Sequence, residues 1–191
     1  DSDGQTDDAT AVLSVVAEQT TFTVTENISS NTTWETGNTY ILGGRITVLA
    51  GATLTIEPGV VIKGEAGTGA NATALLVARD ATLNANGEAN LPIIFTSVAD
   101  EITPEQVASG DFASPNLDPD INGLWGGVLV LGNAPISASS EGNDITEAQI
   151  EGIPSSDPSG LYGGNEPGDS SGSITYISIR HGGANIGEGN E

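Results

Sequence analysis

The chain contains no cysteine, so disulfides, thiolate metal centres and thiol nucleophiles are all excluded. It has only four basic residues, Arg45, Lys63, Arg79 and Arg180, against 26 acidic ones, for a net charge of -22. Such a field repels phosphate backbones and anionic headgroups, which argues against nucleic acid as a partner. Aromatics are scarce, with two Trp, three Tyr and three Phe, and His181 is the only histidine. No apolar run is long enough to span a membrane, so no transmembrane segment is expected. No basic region followed by an apolar stretch opens the chain, and the expectation is an export signal already removed.

What is abundant is Gly, at 26 residues, together with Val, Ile, Leu, Ala and Thr. This mixture favours short stacked strands over a helical bundle. Residues 1–9, with Asp1, Asp3, Asp7 and Asp8 among small polar residues, read as an acidic tether. An acidic tether suits a chain held by a lipid anchor upstream of Asp1. Residues 10–38 read as an N-terminal cap with strands, Phe22 and Val24 sharing one face.

From Thr39 to Glu191 short apolar runs recur, among them Ile46-Thr47-Val48, Leu54-Thr55-Ile56 and Val60-Val61-Ile62. They are punctuated by Ala50-Gly51 and Pro58-Gly59. Leu54 and Ile56, then Val60 and Ile62, take inward positions with Thr and Glu outward. The connections are too short for crossover helices, and Gly or Asn at the corners tolerates left-handed backbone. The expected fold is all-β: a right-handed parallel β-helix, or β-solenoid, over residues 39–191. Two insertions break it. The first, about residues 99–121, opens with a short helix capped by Thr103, with Pro104 and Glu105 in its first turn. The second, about residues 138–172, is rich in Ser, Gly, Asp and Pro. Loops of this length are expected to project from one side and build a binding surface.

The ordered set Gly51 to Lys63, Leu83 to Ser97 and Trp125 to Gly127, closed by ITYISIRHGGANIG, resembles a family of bacterial secreted right-handed parallel β-helix proteins. The wording around the two insertions is most similar to surface or type IX-secreted β-helix proteins of the Bacteroidetes. The sorting domain that such proteins often carry is not part of the match. The resemblance implies an extracellular or outer cell-surface location and a scaffold; it defines no activity.

Candidate site residues are few. Asp118, Asp120 and Asn122 place oxygen ligands at alternate positions before Gly123, a spacing suited to Ca²⁺, although Leu129 stands where an EF-hand needs its bidentate Glu. Asp111, Glu166 or Asp169 would complete such a shell. Trp34, in SSNTTWETGNT, reads as an exposed ligand-contact residue able to stack on sugars, whereas Trp125 reads as packed. His181 lies at a strand end that the scaffold pattern already explains, and no nucleophile-elbow motif accompanies it. A polysaccharide lyase would need a base and cations together, yet Lys63, Arg79 and Arg180 fall on different coils.

The expected function is therefore a non-catalytic scaffold for adhesion, matrix or glycan contact. The alternatives are a β-helix polysaccharide lyase or hydrolase, and a structural subunit of an outer-membrane or filament assembly. The bare end expected near Glu191 calls for further coils or end-to-end self-association.

Overall fold

The computed structural model describes residues 20–187. The tether, the first ten residues of the expected cap and the last four residues lie outside the described residues. Each coil contributes a strand to each of up to three parallel sheets, so the alternation in the sequence becomes an inside and an outside.

The strands of the first three coils are β1 (Thr21–Val24), β2 (Thr32–Trp34), β3 (Thr39–Leu42), β4 (Arg45–Val48), β5 (Thr53–Ile56), β6 (Val61–Gly64), β7 (Ala74–Val77) and β8 (Thr82–Asn86). The fourth coil carries both insertions. It runs through β9 (Ile93–Ser97), helix α1 (Pro104–Ala108), β10 (Gly127–Val130), two antiparallel pairs and β15 (Gly172–Thr175). Those pairs are β11 (Ala138–Ser140) with β12 (Asn143–Ile145), and β13 (Glu147–Gln149) with β14 (Leu161–Gly163). β16 (Ile177–Ile179) opens the fifth coil.

Sheet A has the order β1-β3-β6-β9-β16, sheet B β4-β7-β10 and sheet C β2-β5-β8-β15, with every neighbour parallel. This is a parallel β-helix. It begins earlier than Thr39. β1 pairs with β3, Ile28 bridges Val48 and β2 pairs with β5, so residues 20–38 already form a complete coil. Thr32-Thr33-Trp34 is too short to be recognised as a strand without its neighbour.

The core is a set of columns along the axis. In sheet A, Phe22, Tyr40, Ile62 and Phe95 stack in register; in sheet C, Trp34, Ile56 and Ala85; in sheet B, Val48 and Val77. Burying each large side chain contributes about 1.5–3 kcal/mol. One position must be small. Gly64 faces inward, and a Cβ there would lie 2.7 Å from Cε3 and 2.9 Å from Cβ of Trp125. The indole, fully buried, occupies that space and donates from Nε1 to the Arg180 carbonyl at 2.7 Å. At the Pro58-Gly59 corner the backbone is left-handed, φ 79°, and Leu91 closes on the glycine.

The insertions do not project from one side. The first lies on the outer face of sheet A, where Val61 and Ile94 pack with Ile102 and Val107. The second lies on sheet B, where Leu76 packs with Leu131 and Ile153, joined by Leu129, Ile150 and Tyr162. A loop that has an apolar strand face beneath it gains more by covering it than by extending into water. Thr103 caps α1 as expected, its hydroxyl accepting from Gln106 N–H at 3.3 Å.

Gly64→Ala is expected to destabilise the protein by about 1–3 kcal/mol through overpacking against Trp125. Leu54→Ala, which leaves a cavity on the axis, is expected to cost about 2–5 kcal/mol. Denaturant unfolding of both variants measures this; a wild-type midpoint for Gly64→Ala would refute the proposed contact.

Candidate functional site

The outer face of sheet A gathers the unusual chemistry. Lys63 pairs in register with Thr96. Arg180 follows β16, its N–H donating to the Phe95 carbonyl at 2.9 Å, and thereby stands beside Thr96 from the next coil. The sequence reading leaves these two cations on separate coils. They are on separate coils, but the register puts them on one face; Arg79, expected on a coil of its own, shares the third coil with Lys63 and lies between β7 and β8.

Asp100 lies under this face, fully buried. Its carboxylate accepts from the Thr96 hydroxyl at 2.8 Å, the Ser114 hydroxyl at 2.8 Å and the Ile102 N–H at 3.1 Å. Its backbone carbonyl accepts from Lys63 Nζ at 2.6 Å. Burial pushes the Lys63 ammonium below its ordinary value, against the opposing pull of Asp100 and Glu101. Burial likewise lowers Arg180, whose Nε donates to Ser178 Oγ at 2.9 Å. Asp100 escapes the sequence reading: the only local signal is an Asx turn onto Ile102, and 26 acids hide it.

His181 completes the group. It adopts a left-handed backbone, φ 56°, and is buried. Nδ1 lies 2.6 Å from the Ile121 carbonyl, an acceptor, so Nδ1 carries the proton. Nε2 is buried without a hydrogen-bond partner among the described residues and sits 3.9 Å from Asp100 Oδ2. The pair has the residue types of an acid–base dyad. Its Nε2 is shielded from solvent beneath the first insertion. His181 also lines a cleft, together with Phe112, Leu117, Ile121, Ile179 and Arg180.

The remaining cations fasten the second insertion. Arg45 pairs with Asp157 at 2.9 Å. Arg79 bonds both Glu147 and, at 2.7 Å, the Gly163 carbonyl. Hydrogen bonds from Ser159 hold the Asp157 carboxyl below its usual range, with Arg45 adding to the effect and burial opposing it.

Trp34 requires a correction. It is only 3% exposed and stacks on Tyr40 with ring centroids 4.7 Å apart, because β2 belongs to sheet C and strand alternation turns the indole inward. It offers no face to a sugar. Trp125 is buried. Asp118, Asp120 and Asn122 are exposed on the first insertion, where Asp118 Oδ1 accepts from the Asp120 N–H at 2.9 Å, an Asx turn. Among the described residues no group of three or more His, Asp or Glu is placed to hold a metal ion. Among them, too, no helix is long and apolar enough to cross a membrane.

A family model described as a pectate-lyase-like beta helix domain matches residues 26–111 and again residues 112–191. No curated protein and no solved structure matches the chain.

Asp100→Ala is expected to leave Thr96, Ser114 and the Ile102 N–H unsatisfied and to cost about 3 kcal/mol. Hydrogen exchange should then rise across residues 102–117 while β5 and β8 stay protected; unchanged exchange in that segment would remove Asp100 from its anchoring role. The Arg45–Asp157 clamp has its own pH signature. With the folded value below the ordinary 3.8, its stabilisation is complete above about pH 4 and is lost as pH falls through the folded value. Asp157→Asn should abolish that part of the acid transition in a melting series, and an identical acid profile would refute the clamp.

Proposed function

The chain belongs to the pectate-lyase-like β-helix domain family, and from that premise we propose that it is a non-catalytic scaffold, displayed extracellularly or on an outer cell surface for adhesion, matrix or glycan contact. The observation that carries this reading is the use to which its few bases are put. Arg45 and Arg79 bind the second insertion, Lys63 holds the Asp100 carbonyl, and His181 holds the Ile121 carbonyl. Eliminating an acidic sugar requires a base at the reacting carbon and cations on the carboxylate. Here those groups are engaged, and the surrounding charge of -22 opposes a polyanion. The affinity of the sequence pattern with Bacteroidetes surface proteins points the same way.

A second reading, a subunit joined end to end in a larger assembly, is favoured by the exposed tops of the core columns. Val130, Ile174 and Ile179 are 39, 46 and 49% exposed, whereas Val77, Ala85 and Phe95, one coil below them, are fully buried. In the first coil Ile28 and Trp34 are buried, while Phe22 is 44% exposed.

Incubation with polygalacturonate and with neutral polysaccharides, with and without Ca²⁺, should release no unsaturated or reducing ends, while a glycan and matrix array should give binding. Turnover that disappears in His181→Ala or Lys63→Ala would overturn the scaffold reading. For the assembly reading, native mass should rise with concentration and the Ile174→Glu, Ile179→Glu double variant should stay monomeric; equal behaviour of the two proteins would eliminate it.

A further inference from the structure

Three of the four basic side chains end on groups of this chain: Arg45 on Asp157, Arg79 on Glu147, and Lys63 on the Asp100 carbonyl. Arg180 differs. Its Nε donates to Ser178 Oγ at 2.9 Å, but neither terminal nitrogen has a hydrogen-bond or ion-pair partner among the described residues. Those nitrogens are open to solvent, since His181 Nε2 is the one buried side-chain polar atom left without a partner among these residues. The Asp100 carboxylate, whose charge acts on Arg180, is already bonded by Thr96, Ser114 and Ile102. On a chain with 26 acidic residues, a guanidinium kept clear of carboxylates has donors available for a group outside the described chain.

Arg180 lines a cleft of about 690 Å³, a size suited to a small organic molecule. Arg180 and His181 belong to one wall, and the first insertion forms the other with Phe112, Leu117 and Ile121. Backbone fastens the two walls together. Gly123 N–H donates to the Gly182 carbonyl at 2.7 Å, and Leu124 N–H to the His181 carbonyl at 2.9 Å. Ile121, large and apolar, keeps 38% of its surface exposed here. Asp120 is the one acid among the lining residues.

We infer that this cleft binds a small carboxylic acid with an apolar body, its carboxylate on the Arg180 guanidinium and its body against Phe112, Leu117 and Ile121. A planar guanidinium presents two parallel N–H donors to a carboxylate. The apolar wall adds burial that an inorganic anion has no surface to use. Asp120 restricts the ligand to a single negative charge, and the field of a chain at -22 turns polyanions away. A neutral sugar would leave the guanidinium without a charge partner. The site binds and makes no bond, and it lies beyond the glycan or matrix contact proposed for the shaft.

The test titrates the whole chain with phenylacetate, followed by calorimetry and ligand-observed NMR. Binding is expected, with neutral phenylacetamide and inorganic sulfate each weaker by about tenfold or more. Arg180→Gln should lose the preference for acid over amide, and Arg180→Lys should keep part of it. Leu117→Ser should weaken acid and amide alike, while Arg45→Gln, which removes a cation elsewhere, should bind as the wild type does. No binding of phenylacetate at millimolar concentration, equal affinity for acid and amide, or an unchanged preference in Arg180→Gln would each overturn the inference.

Discussion

A strand in this molecule is stable only because two demands are met together. Its backbone edges must pair with the coils on either side, and its inward side chains must sit on those of the coil before. Parallel pairing fixes the register, and register fixes which side chains meet. Tyr40, Ile62 and Phe95 form one column because β3, β6 and β9 cannot slip by a residue without turning that column outward. The same constraint makes the coils interdependent. Trp125 fits only because the third coil ends its sheet A strand with Gly64, and the indole in turn fixes the Arg180 carbonyl of the fifth coil.

The insertions obey the same logic from outside. Val61 and Ile94 point away from the axis, and so do Leu76 and Leu129; left bare, each pair would leave apolar strand surface in water. Insertion-derived Ile102, Val107 and Ile153 remove it. The ion pairs add less than their number suggests. Arg45 and Asp157 keep 24% and 32% of their side-chain surface exposed, and pairs of that kind contribute about 0–1 kcal/mol. They set where the insertion lands, while apolar contact supplies most of the adhesion. Asp100 is different, because it is buried and bonded by three donors, so removing it strands all of them.

How much of this was legible in the sequence depended on whether a signal was local. The alternation of Leu54 and Ile56, the Pro58-Gly59 corner and the Thr103-Pro104 cap are decided within a few residues and could be read directly. The burial of Trp34 could not, because its environment of Ser, Asn and Thr says surface while its pairing with Ile56 says core. Val60-Val61-Ile62 reads as one apolar run, and nothing in it tells that Val61 serves the insertion instead of the axis. The meeting of Lys63 and Arg180 across Thr96 requires the register of three coils, hence the length of every loop between them. Asp100 was one acid among many.

That distribution bears on how chemistry could arise on such a shaft. Side chains in one outward column keep their spacing coil after coil, so a column is a natural place to assemble a reactive set, and sheet A has the makings of one in Lys63, Thr96 and Arg180. In this chain the first insertion lies across that column, and its Asp100 and Ile121 take up the donors that would otherwise face a substrate. His181 Nε2, without a hydrogen-bond partner among the described residues, lies 3.9 Å from Asp100 Oδ2 under the same insertion. The insertion that makes this face stable is thus also the element that engages its polar groups.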